Sequence, residues 1–179
     1  LDLAEGTKGF HFARFWQEAM FAAAAVRGLA TIMKTRPASA LLTAALMHDI
    51  GRFAMAHAAP AEYARIDKTV AGAALVRAEE ELFGLSPPEA AFLLAHRWDL
   101  PEEVFVPIRY HHSPHSADSD APKASIICIA GFLAEAYTDD REIAAESDLS
   151  EIQPAMDALE LTPDQIAQAY RETILTYSG

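Results

Sequence analysis

The residues best suited to chemistry are an adjacent pair, His48-Asp49, set in Leu46-Met-His-Asp-Ile-Gly51 inside the apolar stretch Ala44 to Ala54. Ionisable groups among such neighbours are costly to bury unless they pair, hydrogen-bond or hold a metal. Successive side chains on a helix diverge by about 100°, yet both can reach one cation near their shared edge. A neutral imidazole with a carboxylate suits a single divalent ion such as Zn, Mn, Fe or Mg. Arg52, one turn beyond His48, is placed to hold an anionic oxygen, as of a phosphate. A purely structural His-Asp hydrogen bond is the competing reading, and the dipeptide alone does not separate the two.

A second histidine pair, His111-His112, closes a helix just before Ser113-Pro114, where imidazolium would meet the negative helix pole. Adjacent side chains diverge, so one of the two is expected inward and the other toward solvent. Cys128 lies in the apolar run Ser125 to Gly131 and reads as a small buried thiol rather than a nucleophile. Trp98 reads as a core anchor, Glu79, Glu80 and Glu81 as a solvated helix face, and Gly51 as a point of close helix packing. No glycine-rich phosphate loop, serine nucleophile elbow or Cys-x-x-Cys motif is present.

The elements that must position these residues are helical. Between Phe10 and Thr35, Phe12, Phe15, Trp16, Ala19, Ala23, Val26 and Ala30 recur at helical spacing and give one core-facing stripe. Ser39 is expected to cap a helix running through Met47 to about His57, stopped by Ala59-Pro60. A helix over 61–83, broken near Gly72, ends at Gly84. Ser86-Pro-Pro-Glu89 and Thr162-Pro-Asp-Gln165 have the form of capping boxes, opening helices to about Trp98 and Thr176. Pro107 is expected to kink or restart a helix begun at Leu100-Pro-Glu-Glu103. Residues 112–120 read as a loop, 122–138 as an apolar helix and 139–150 as acidic surface. The expectation is an all-α bundle of about eight helices in one domain, 1–179, with no significant sheet.

Composition agrees. The chain has 179 residues, 51% hydrophobic and 22% charged, and about one in five is alanine, the strongest helix former. A formal charge of −12, from 14 basic and 26 acidic side chains, disfavours nucleic acid and anionic membrane as partners. No apolar stretch approaches the roughly 20 residues that span a bilayer. One cysteine allows no internal disulfide and points to a reducing, cytoplasmic setting.

The order of these motifs resembles the HD superfamily of helical metal-dependent phosphohydrolases, and more closely its HDOD (HD-related output domain) branch. The matching pieces are Phe15-Trp16-Gln-Glu-Ala19, Ala44-Ala-Leu-Met-His48-Asp49-Ile-Gly-Arg52 and Glu79-Glu-Glu-Leu-Phe-Gly84. Leu93-Leu-Ala-His-Arg-Trp98-Asp-Leu-Pro101 and Ile108-Arg-Tyr-His111-His112-Ser-Pro114 follow, together covering roughly 1–136. The resemblance implies metal ligands at His48, Asp49 and His111 or His112. Asp49 would be the catalytic carboxylate were the protein active.

It also implies departures. The first family histidine falls at Glu18, which can donate oxygen or serve as an ordinary exposed carboxylate. An intermediate histidine falls at Pro87 and the late aspartate at Gly131. Such a set holds one metal or none, and a two-metal phosphohydrolase centre is not expected.

Three functions follow. The first is a non-catalytic, bacterial-type signalling module with a vestigial HD site, acting on another signalling protein, upstream domains of its own chain or a second copy. The second is a phosphodiesterase with a reduced one-metal site, and the third a helical scaffold with a structural His-Asp pair. The family domain begins with a helical half lacking here, and Leu1 is not Met, so the chain reads as the later half of a longer domain.

Overall fold

Phe15, Ala19, Ala22, Val26 and Leu29 follow one another by three or four residues, and in a computed structural model they form the buried stripe of helix α1 (Phe12–Ile32). The structure describes residues 10–66, 70 and 72–177, apart from the side chain at 73. Every regular element among them is helical: α2 (Ser39–Met47), α3 (Ile50–Ala58), α4 (Pro60–Tyr63), α5 (Gly72–Phe83), α6 (Pro87–Arg97), α7 (Glu102–Tyr110), α8 (Ala121–Thr138), α9 (Gln153–Ala158) and α10 (Pro163–Tyr177). Short 3-10 turns occupy 114–116, 118–120 and 150–152. The all-α expectation holds. None of these helices is long and apolar enough to cross a membrane.

The apolar helix α8 lies at the centre of the main core, with Ile127, Ile129, Ala130, Leu133, Ala134 and Ala136 fully buried. Helix α1 packs along it and against α10, while α2 and α7 close another side. A smaller cluster of Met55, Ala56, Tyr63 and Ala90 joins α3, α4 and α6.

Both capping boxes form as their sequences predict. The Ser86 hydroxyl accepts from Glu89 N–H at 3.4 Å and the Glu89 carboxylate accepts from Ser86 N–H at 2.9 Å. Thr162 and Gln165 reciprocate at 3.3 and 2.9 Å. Ser86→Ala should therefore cost about 1 kcal/mol of stability, read as a lowered midpoint in urea unfolding. Gly84 ends α5 at φ +73°, in the left-handed region where glycine is favoured.

Five expectations are corrected. The helix expected over 39–57 is two helices, with His48 and Asp49 in the turn between them. The His48 ring nitrogen Nδ1 donates to Ala45 O at 2.8 Å, taking the carbonyl that Asp49 N–H would use in an unbroken helix. Pro107 sits inside α7 without restarting it. Trp98 is 52% exposed, because α6 ends at Arg97 and the next residue leaves the buried Ala91–Ala95 face. Trp16 is 47% exposed, turned out of the core by its inward neighbour Phe15. The helix expected over 61–83 is found only in part: α4 ends at Tyr63, residues 64–66 turn, α5 begins at Gly72, and 67–69 and 71 lie outside the described residues.

Candidate metal centre

The turn between α2 and α3 aims His48 and Asp49 at the end of α7, where the chain delivers His111 and His112. One donor atom each from Asp49, His111 and His112 lies within 4.8 Å of the others. His48 stands beside them, its Nε2 3.6 Å from Asp49 Oδ2 and its ring centroid 5.6 Å from that of His111. The His111 and His112 centroids are 4.0 Å apart. His111 is buried and His112 exposed, the division expected of neighbouring side chains.

The histidines are held in a defined tautomer. A carbonyl only accepts, so His111 Nδ1 donates to Ile108 O at 2.6 Å, as His48 Nδ1 donates to Ala45 O. In each ring Nε2 is left with its lone pair. For His111 that atom is buried and has no hydrogen-bond partner among the described residues. A buried orphan acceptor facing a carboxylate is the arrangement a cation would satisfy. Two nitrogens and one oxygen suit a borderline divalent metal.

Electrostatics favour the ligating forms. Burial opposes charge on Asp49, but the adjacent Arg52 guanidinium overcomes it and holds the carboxyl well below its ordinary range. Burial, then the neighbouring His112 and His48, push His111 well below the usual imidazole value. The buried His111 ring is therefore neutral at pH 7.

His111 is protonated below about 6.5 in the unfolded chain but resists protonation when folded, so the unfolded state binds more protons there. Stability present above pH 6.5 should be lost as pH falls, at up to about 1.4 kcal/mol per unit from this residue. Urea midpoints of the wild type and His111→Asn at pH 7 and 5.5 should show the wild type losing more. Equal losses would contradict the assignment.

Two candidate residues are placed elsewhere. Arg52 was expected to hold a ligand's anionic oxygen, yet the oxygens it holds are the protein's own. Its Nη1 donates to Asp49 Oδ2 at 2.8 Å and its Nε to Glu79 Oε1 at 2.9 Å. Glu18 does not join the triad. Its Oε1 accepts from Arg14 Nε at 2.7 Å and from the Thr138 hydroxyl at 2.9 Å, which neutralises it within the α1–α8 contact.

Glu79 overturns the reading of residues 79–81 as a solvated face, because it is wholly buried. The signal was available in its spacing: Glu79 follows Val76 by three residues and precedes Phe83 by four, on the apolar side of α5. Burial pushes its carboxyl up against the stabilising Arg52 and Tyr63, and Tyr63 Oη donates to Oε1 at 2.6 Å.

The triad opens into a cleft of about 430 Å³, with Val76, Arg77, Cys128, Gly131 and Glu135 on its other walls. A Cβ added at Gly131 would stand 3.3 Å from His48 Nε2, so the absent side chain leaves the cleft open against that imidazole. Cys128 lies half-buried in this wall and burial pushes its thiol up to about 12, so it is no nucleophile at neutral pH.

Helices that bring a His-Asp turn and a His-His helix end to one point define an HD-like helical domain with a candidate metal centre. A profile of the HDOD domain matches residues 1–114, and the chain belongs to the HDOD family. Three solved structures share the fold. An HDOD domain protein with unknown function from Geobacter sulfurreducens is 18% identical, with TM-score 0.77, over 97% of this chain and 63% of its own. A candidate phosphohydrolase from Shewanella amazonensis SB2B is 24% identical, with TM-score 0.70, over 96% and 62%. The MmoQ response regulator from Methylococcus capsulatus str. Bath is 22% identical, with TM-score 0.65, over 91% and 62%. The chain thus spans less than two thirds of the length of these structures. Among curated proteins no sequence match is found.

Proposed function

We propose that this chain is a regulatory output module of the HDOD kind that holds one divalent cation at Asp49, His111 and His112 and does not hydrolyse phosphoesters. The observation that carries the reading is the buried, unpartnered His111 Nε2 facing Asp49 and His112. His48 Nε2, at the edge of the same group, is the fourth available donor. Bound there, a cation would serve as a Lewis acid or as a structural clamp between the α2–α3 turn and the end of α7.

Charge and ligand supply at the site weigh against hydrolysis. A two-metal centre needs ions about 3.5–4 Å apart with further carboxylates or histidines. Gly131 and Pro87 offer no donor side chain, and Glu18 is tied to Arg14 and Thr138. Arg52, the cation nearest the HD pair in sequence, is committed to Asp49 and Glu79 and is not free to steady a phosphoryl group.

Output then passes through contact with another protein or domain in the cytoplasm, with residues 1–179 working as one unit. Trp16 and Met20, four residues apart on α1, are half-exposed apolar side chains that such a contact would cover. The −12 charge argues against nucleic acid and anionic lipid as the partner.

The test is an assay with bis-p-nitrophenyl phosphate and a cyclic dinucleotide in saturating Mn²⁺ or Zn²⁺. Turnover should not exceed that of Asp49→Asn. Robust metal-dependent turnover lost in Asp49→Asn and His111→Gln would favour the one-metal phosphohydrolase reading and overturn this one.

A further inference from the structure

From Asp49 on the cleft wall a chain of charges runs into the interior. Asp49 Oδ2 accepts from Arg52 Nη1, and Glu79 Oε1 accepts from both Arg52 Nε and Tyr63 Oη. Asp49 and Arg52 are almost buried and Glu79 entirely so, although the members come from the α2–α3 turn, α3, α5 and α4. Two carboxylates thus share one guanidinium. Among the described residues no second cation pairs with either, and Glu79 Oε2 has no partner at all.

Among the described residues this buried set holds two carboxylates to one guanidinium, an arrangement that interior burial makes costly. Its consequence falls on Asp49. Were Arg52 free of Glu79, its whole charge would fall on the Asp49 carboxylate and cancel the attraction that carboxylate offers a cation in the cleft. With Glu79 present, Arg52 is drawn to both sides. It gives Asp49 one hydrogen bond, which orients the group, while part of its charge is spent on Glu79. The Asp49 carboxylate thus keeps negative charge to offer a cation at the triad.

We infer that Glu79 is a positioning residue for the metal centre, acting through Arg52 to keep the Asp49 carboxylate oriented but electrostatically available to a divalent cation. The inference rests on the proposed metal site and adds to it a residue that touches no ligand. Glu79 sets how tightly the site holds its ion, and Tyr63 keeps Glu79 turned toward Arg52.

The test is Zn²⁺ affinity of the full chain at pH 8, by competition with a chelating dye, together with the d–d spectrum of the Co²⁺-loaded protein. Glu79→Gln should weaken Zn²⁺ at least tenfold while the Co²⁺ spectrum at saturation stays unchanged, because the ligands are the same. In an Arg52→Gln background the further change Glu79→Gln should have no effect, since its route to Asp49 is gone. Tyr63→Phe keeps the ring in its apolar cluster and should weaken Zn²⁺ about threefold, giving the same reading should Glu79→Gln fold poorly.

Unchanged affinity in folded Glu79→Gln or in Tyr63→Phe, or an equal loss with and without Arg52, would overturn the inference while leaving the metal site standing. No Zn²⁺ binding by the wild type would overturn both, and is recognised by Asp49→Asn behaving identically.

Discussion

Asp49→Asn is expected to lower Zn²⁺ affinity by about 100-fold or more. Loss of an outer hydrogen-bond partner around a metal ligand already costs 10–100-fold, and Asp49 is the carboxylate of the triad, so its neutralisation should reach at least the upper end. Asparagine keeps the shape and can still accept from Arg52, so the turn between α2 and α3 should survive. The charge-assisted bond of 2.8 Å becomes an ordinary one, at a cost of about 1 kcal/mol in stability. Both effects are separable by titrating metal into protein shown to be folded by its far-ultraviolet spectrum. His111→Gln should give a comparable loss of affinity. Wild-type Zn²⁺ binding in either variant would remove the triad from consideration.

Gly51→Ala should destabilise the protein by about 3 kcal/mol, the upper end for forcing extra atoms into packed interior. A Cβ at position 51 would overlap the carbonyl oxygen of Pro87 and stand 2.6 Å from Ala91 N, both in the backbone of α6. Backbone cannot rotate aside as a side chain can, so α3 and α6 must separate. Ala90, Ala91 and Ala95 are buried on that face of α6 and would lose their contacts. Position 51 also lies between Asp49 and Arg52, so the shift should disturb the site as well. Urea unfolding checks the prediction, and a change below about 0.5 kcal/mol would mean that the helices adjust freely.

Local signals in this sequence translated directly into structure. Ser86 with Glu89 and Thr162 with Gln165 are complete within four residues, and both boxes form. The apolar steps of α1 and α8 fix which of their faces are buried. The histidine and aspartate of the centre were visible because ionisable types are out of place in an apolar run.

What the sequence concealed depends on partners far along the chain. Arg52 looked free because its second carboxylate, Glu79, is 27 residues away on another helix. Glu18 looked available because the hydroxyl that claims it, on Thr138, is 120 residues distant. Each pairing is set by how helices cross, which a pattern of residue types along one helix does not carry. The break at 48–49 was hidden for a different reason. It depends on His48 turning its imidazole back to Ala45 O, a rotamer choice that propensity does not register.

The central claim is a single divalent cation between the α2–α3 turn and the end of α7. Crystals of the full chain grown with Zn²⁺, with diffraction collected on both sides of the zinc absorption edge, test it most directly. The account predicts one anomalous peak per chain in the cleft, within about 2.0–2.2 Å of donor atoms from Asp49, His111 and His112. Two peaks about 3.5–4 Å apart would restore a two-metal hydrolase centre. No peak at that position, with zinc saturating, would leave the His-Asp pair as structure alone and contradict the account.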